Sequence, residues 1–309
     1  MTEPARHPPR DRAARALTDG DPGEPEIEIL PDADAAAAAA ANRIAAAVID
    51  AVRRRGRADW ATTGGSTPIP IYRHLAAPPL RSEVPWDRVH VWWGDDRYVP
   101  RDHPLSNRLA FDEILLGLSG KAGMSGDGTA AVDIRLGAEP GVPIPVANVH
   151  AMPIDAAIAG GSPETAAAAY AEELRAAPLE RNAAGLPVLD VILVGVGPDG
   201  HVCSVFPESP LLESSEWVAA VPAPEHVEPH VARVTLSPAL VGAGRLPLAV
   251  VLGAGKARIV ADILTGPRDA RRWPSQVVRR AGAVWILDEA AAARLPGSER
   301  REASRSGRG

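Results

Sequence analysis

The sequence predicts a single main α/β domain, Rossmann-like, with a mostly parallel sheet covered by helices on both faces. Three observations carry that expectation. The apolar stretches are continuous Val/Ile/Leu runs rather than alternating ones, as strands buried on both faces require. Helical patterns separate them, the order expected of parallel strands joined by crossovers. Several runs also stop at glycine and pass at once into polar residues, as strands do where an open sheet binds its ligand.

The elements follow in order. Residues 1–25 are rich in Pro, Arg, Asp and Gly without apolar periodicity and are expected to form a disordered arm. Ile27–Leu30 reads as a short strand, followed by an Ala-rich helix from about Asp34 to Arg55. Ala58–Thr62 is strand-like and runs into Gly64-Gly65-Ser66-Thr67-Pro68, with a helix through Leu75. Val89–Trp93 is a strand ending in Gly94-Asp95-Asp96-Arg97, and helix is expected from about Pro104 to Leu116. The Gly/Ala/Pro-rich stretch 117–146 has weak periodicity and reads as a surface excursion. Ser162-Pro163-Glu164-Thr165 is a helix start, with proline at the first helical position, and the helix should reach about Leu179. Val188–Val194, Val231–Leu236, Leu248–Leu252 and Val284–Leu287 complete the strands. The domain is expected over 26–295, and the Arg-rich 296–309 as a disordered tail.

Composition removes several classes of function. Against 39 acidic residues stand 33 basic ones, a net charge of −6, so nothing electrostatic calls for nucleic acid. A single cysteine, Cys203, excludes an internal disulfide framework and a zinc–thiolate cluster. The longest apolar run, near Ala35–Ala41, is too short to span a bilayer, and the N-terminal residues form no apolar signal core. A cytoplasmic protein with no membrane partner is the expectation. Lysine occurs only at Lys121 and Lys256.

The glycine-punctuated turns should converge on one rim of the sheet. Gly195-Val196-Gly197-Pro198-Asp199-Gly200 satisfies the G-x-G-x-x-G pattern after a strand. It nevertheless argues poorly for a dinucleotide, because Pro207 and Pro210 leave no room for the long helix that pattern needs. Gly64-Gly65-Ser66-Thr67-Pro68 offers backbone N–H groups and two hydroxyls at a helix start, an anion cradle or simply a capped turn. Arg97 can clamp a phosphate or pair with Asp95 or Asp96. Lys256 is placed to reach the same anion, which would offset its unfavourable position at a helix start. His201 is the candidate for proton transfer, with Asp199 two residues earlier to orient its ring. Cys203 reads as packing, His90 as strand core, and His103, His226 and His230 as loop residues.

These turns, in this order, resemble the 6-phosphogluconolactonase family, within the superfamily of glucosamine- and galactosamine-6-phosphate isomerases. The matching segments are Thr63–Pro68, Trp92–Pro100 with Asp102-His103-Pro104 and Ser106-Asn107, Leu189–Pro207, Arg233–Leu236 and Gly253–Ala257. The resemblance implies hydrolysis of 6-phospho-D-glucono-1,5-lactone to 6-phospho-D-gluconate in the pentose phosphate pathway, without metal or organic cofactor. On it, His201 and Asp199 are the expected catalytic pair. Gly64, Gly65, Ser66, Thr67, Asp95, Arg97, Gly197, Gly200, Arg233 and Lys256 are the expected substrate- and phosphate-binding set. Two features depart from the family: Asp96 stands where it usually has Glu, and the 117–146 stretch is longer and richer in glycine. A glucosamine-6-phosphate deaminase is similar at two of the motifs. That family carries Asn-Glu-Pro where this chain has Val205-Phe206-Pro207, and Ser-Tyr where it has Ser106-Asn107. A non-catalytic sugar-phosphate sensor is a third reading, which retention of both Asp199 and His201 disfavours.

Overall fold

The computed structural model describes residues 22–124, 130–136 and 141–297. Seven strands form the central sheet: β1 (Glu26–Leu30), β2 (Ala58–Thr62), β3 (Val89–Trp93), β7 (Val149–His150), β8 (Val191–Val194), β11 (Leu246–Val251) and β12 (Val284–Asp288). Their order is β1-β12-β11-β8-β2-β3-β7, and every pairing is parallel. From β2 the chain moves outward to β3 and β7, then returns to lay β8 on the other side of β2. The β2–β8 boundary is therefore the switch point of the sheet, where adjacent crossovers diverge and leave a crevice at the strands' carboxyl ends.

Among the described residues, four helices have nine residues or more: α1 (Ala33–Arg55), α2 (Pro68–Ala76), α3 (Pro163–Ala176) and α4 (Ala257–Thr265). Asp32 caps α1 by accepting from the Ala35 N–H at 2.8 Å, Arg53–Arg55 complement its last turn, and Gly56 ends it at φ 75°. At 23 residues α1 is long and apolar enough to cross a bilayer, which the run at 35–41 does not suggest. Its Ala36, Ala37, Ala40, Ala41, Ile44 and Val48 face is instead buried in the core, where small side chains let helix and sheet approach closely. Aromatic rings fill the other end: Trp60 of β2 packs against Tyr72 of α2 and Phe111, and Trp93 of β3 against Phe111.

The structure corrects the sequence reading in several places. Arg233–Leu236 (β10) is not a strand of the parallel sheet. It pairs antiparallel with β4 (Asp95–Arg97) and β9 (Val218–Val221) in a separate three-stranded sheet, so Asp95-Asp96-Arg97 is strand rather than turn. The helix expected from Pro104 to Leu116 is only Leu109–Ile114, because the preceding residues are held in turns by the site. Within 117–146, β5 (Leu118–Met124) and β6 (Ala130–Leu136) pair as a two-stranded ribbon, while Val142 and Ile144 are buried. Residues 1–21 and 298–309 lie outside the described residues. The end of the expected arm is already tied down: the Pro22 carbonyl accepts from the Ala281 N–H, and Glu24 pairs with Arg279 and Arg268.

Candidate active site

A cavity of about 560 Å³ opens over the switch point. Its walls come from the turn after β2 (Thr63–Thr67), from Asp95 and Arg97 of β4 with Asn107, and from the turn after β8 (Gly195–Pro198 and His201). Arg233 of β10, Lys256 before α4, and the His226–Glu228 stretch complete them. Residues up to 193 positions apart, from Thr63 to Lys256, thus converge because each follows, or lies beside, the carboxyl end of a neighbouring strand.

Asp199 fixes the imidazole of His201. Its Oδ1 accepts from His201 Nδ1 at 2.6 Å and from the His201 backbone N–H at 3.1 Å. Burial opposes ionisation of this carboxyl, but hydrogen bonds from His201 and His226 and the charge of His201 outweigh it, holding it well below the usual carboxylate range. An ionised carboxylate only accepts, so the proton of a neutral His201 sits on Nδ1 and Nε2 keeps its lone pair. Asp199 itself lies behind the ring rather than in the cavity wall. Gly197 makes this packing possible: a Cβ there would stand 2.0 Å from His201 Nδ1.

The opposite wall is cationic. Arg233 and Arg97 are directly opposed across β10 and β4, so both side chains leave the same face. Arg233 is 2% exposed, its Nη2 donates to the Pro229 carbonyl at 3.0 Å, and its guanidinium lies over the Phe206 ring. Arg97 Nη1 donates to the Leu105 carbonyl at 2.9 Å; its backbone N–H, rather than its guanidinium, is what bonds Asp96. The Nε atoms of both arginines are buried without a hydrogen-bond partner. Burial lowers the pKa of Arg233, with Asp95 working against it. Lys256 Nζ donates to the Val196 carbonyl at 2.7 Å, and burial pushes its pKa down as well.

The turn at Gly64–Thr67 leads into α2 with Pro68 at the first helical position. Thr67 makes no side-chain capping bond. Neither the hydroxyls of Ser66 and Thr67 nor the backbone N–H groups of 64–67 have a partner among the described residues. By contrast, the amides of Gly197 and Gly200 are consumed inside their own turn, donating to His201 O and Gly197 O. They supply no oxyanion donor.

Some expected residues take other places. Gly200 does not line the cavity; it turns the chain at φ 85° behind His201, where a Cβ would meet Trp273 at 2.9 Å. Asp95 reaches the wall, but its carboxylate accepts from Ser204 Oγ at 2.7 Å and Asn107 Nδ2 at 3.2 Å. Asp96 is buried beneath and accepts the N–H groups of Asn107 and Arg97 at 2.7 and 2.8 Å. Burial, with the Asp95 charge, pushes it up to about 7 against those bonds. Cys203 is buried at φ 51°, its thiol raised well above the ordinary range by burial, and is inert packing.

Asn107 and His226 also line the cavity, outside the expected binding set. Asn107 occupies the space a Gly64 side chain would take, 1.7 Å from an ideal Cβ, which gives Gly64 a packing role besides close approach to a ligand. His226, read as a loop histidine, donates from Nε2 to Asp199 Oδ2 at 3.1 Å. Nothing local marks it, since its partner lies 27 positions away.

A wholly parallel sheet with an oriented imidazole facing a cationic wall across its switch point is the architecture of an α/β enzyme that acts on a small anion. The comparisons narrow that class. Residues 31–286 match the family model described as glucosamine-6-phosphate isomerases/6-phosphogluconolactonase. The 6-phosphogluconolactonase of Streptomyces coelicolor is 33% identical over 278 residues, covering 89% of this chain and 96% of that protein. That of Mycobacterium tuberculosis is 35% identical over 271 residues, covering 87% and 98%. The solved 6-phosphogluconolactonase of Trypanosoma brucei superposes with a TM-score of 0.70 at 25% identity, covering 88% of this chain and 99% of that one. The chain belongs to the glucosamine-6-phosphate isomerase/6-phosphogluconolactonase family.

Proposed function

We propose that the protein hydrolyses 6-phospho-D-glucono-1,5-lactone to 6-phospho-D-gluconate, the lactonase step of the pentose phosphate pathway, in the cytoplasm. One observation carries the reading: the bare Nε2 edge of an Asp199-held imidazole and the two unpartnered guanidinium Nε atoms belong to residues lining the same cavity. Buried donors without partners are costly, and a phosphate dianion relieves that cost while fixing the substrate's far end. The phosphate is held by Arg97 and Arg233, the Ser66 and Thr67 hydroxyls and the free amides at the start of α2, with Lys256 adding charge.

The lactone C1 then faces His201. Nε2 takes a proton from water as the water oxygen bonds to C1, and negative charge moves to the carbonyl oxygen. The tetrahedral adduct collapses with cleavage of the C1–ring-oxygen bond, and imidazolium returns the proton to that oxygen. The new carboxylic acid ionises and releases its proton to solvent. Asp199 stabilises the imidazolium and stays ionised throughout. With the Gly197 and Gly200 amides consumed, the amides of the 64–67 turn and those of Gly195 and Val196 in the cavity wall are left to serve the oxyanion.

The test pairs a proton-release assay on freshly generated 6-phosphogluconolactone with ammonia release from glucosamine 6-phosphate. Rapid, saturable proton release with no ammonia is expected. Ammonia release instead makes the protein a deaminase, and binding without either product makes it a sensor.

A further inference from the structure

Asp199 is shared between two imidazoles, and only one of them is explained by the reaction. His201 takes Oδ1 at 2.6 Å; His226 takes Oδ2 at 3.1 Å. His226 lies on the segment joining β9 to β10, and its side chain is 57% exposed where that of His201 is 15% exposed. Its Nδ1 has no partner among the described residues.

The segment is pinned on either side of this residue. His230 Nδ1 donates to the Pro224 carbonyl at 2.6 Å, and Arg233 Nη2 donates to the Pro229 carbonyl at 3.0 Å. Glu228 pairs with the other nitrogen of His230 at 3.1 Å. Phe206 supports both imidazoles, tilted against His201 at 4.9 Å and edge-on to His226 at 5.4 Å between ring centroids. A loop histidine with no task needs neither anchored flanks nor a shared aromatic platform.

We propose that His226 is a positioning residue for the lactonase reaction, holding the second oxygen of Asp199 and thereby setting the orientation and strength of the Asp199–His201 hydrogen bond. The inference rests on the lactonase reading. Its physical basis is competition: an N–H donor on Oδ2 draws electron density from Oδ1, and it restrains carboxylate rotation about χ2. Lys256 and Arg233 also face Asp199 electrostatically. With the His226 donor removed, Oδ1 is left as the stronger acceptor for the His201 Nδ1 proton.

The experiment compares wild type, H226A and H226Q in steady-state lactonase kinetics across pH 5–9. H226A is expected to lose about three- to tenfold in kcat with KM within about twofold, less than a buried charged hydrogen bond would cost because the donor is 57% exposed. Its acid limb should move to higher pH. H226Q restores an N–H donor and should recover most of kcat. A readout without substrate separates this inference from the lactonase reading: the downfield NMR resonance of the His201 Nδ1 proton should move further downfield in H226A and return in H226Q. An unmoved resonance and a superimposable pH profile would overturn the proposal, as would a rise in KM at unchanged kcat, which makes His226 a substrate contact. If the resonance moves but the wild type turns over no lactone, the coupling stands and the reaction assigned to the site is wrong.

Discussion

Arg97 and Arg233 are built against their own stability, and replacing Arg97 by methionine should show it. The two lie directly opposite on antiparallel strands, where like charges destabilise. Arg97 does act to lower the Arg233 pKa, and two unit charges about 6 Å apart at an effective dielectric of about 20 repel by roughly 3 kcal/mol. Removing Arg97 also forfeits its hydrogen bond to the Leu105 carbonyl, about 1 kcal/mol. The ligand-free R97M protein should therefore be more stable than wild type by on the order of 1–2 kcal/mol, a rise of several degrees in Tm for a domain of this size. With 6-phosphogluconate present the order should reverse, because the product's phosphate binds the intact pair. Kinetically, KM for the phosphorylated lactone should rise at least about tenfold while turnover of unphosphorylated gluconolactone is spared, since a lost charged hydrogen bond costs about 1.5–3 kcal/mol. Differential scanning with and without product, together with the two-substrate comparison, decides the matter. A destabilised variant whose preference for phosphorylated over unphosphorylated lactone is unchanged would refute the repulsion argument and the phosphate assignment together.

Other expectations concern the imidazole and the buried acid. H201A should lower kcat by about 10²–10⁴-fold with an unchanged circular dichroism spectrum, and near-normal turnover would remove His201 from the chemistry. G197A should lower kcat with little change in KM, because its Cβ would lie 2.0 Å from His201 Nδ1 and must displace the ring; a crystal structure of the variant checks the displacement. Asp96, pushed up to about 7 by burial, holds more protons folded than unfolded between its ordinary value near 4 and that pH. Its stabilising contribution is thus complete below about pH 4 and is lost as pH rises through about 7. D96N, which can accept the same two backbone N–H groups, should gain stability relative to wild type between pH 5 and pH 8, by a few kcal/mol at most; urea midpoints that run parallel across that range contradict the assignment.

The parallel sheet was legible because its signal is local. Val191–Val194 and Leu248–Val251 are uninterrupted apolar runs, and glycine follows β2, β3, β8 and β11 within two residues; from those marks alone Gly64–Thr67, Gly197, His201 and Lys256 could be placed on one rim. The second sheet was hidden for the converse reason. Asp95-Asp96-Arg97 carries no strand propensity, and what makes it a strand is its partner Arg233–Thr235, more than 130 positions away. The truncated helix before Leu109 is a related case. The pattern from Pro104 to Leu116 suits a helix, yet Asn107 must fit beneath Gly64 and donate its N–H to Asp96, so tertiary demand overrides local preference. Asn107 entered only through the family-like Ser106-Asn107 pair, without a role, and His226 only as a loop histidine, because what each does exists only as a contact between loops.

The placement of acid–base and anion-binding groups on separate loops has a physical consequence. His201 follows β8, while Arg97 follows β3 and is reached from β10; β8 and β3 are the two neighbours of β2. Their spacing is thus set by two strand intervals of a fully hydrogen-bonded parallel sheet, about 10 Å, and not by loop conformation. That is about the reach of a six-carbon sugar phosphate from its carbonyl carbon to its phosphate oxygens. The arginine end of the site can then carry groups that weaken the fold locally, the arginine pair and the buried Asp96, without changing the distance to His201. The frame that sets this distance is the buried sheet with Trp60 and Trp92 at its centre, so substitutions there should alter stability long before they alter substrate discrimination.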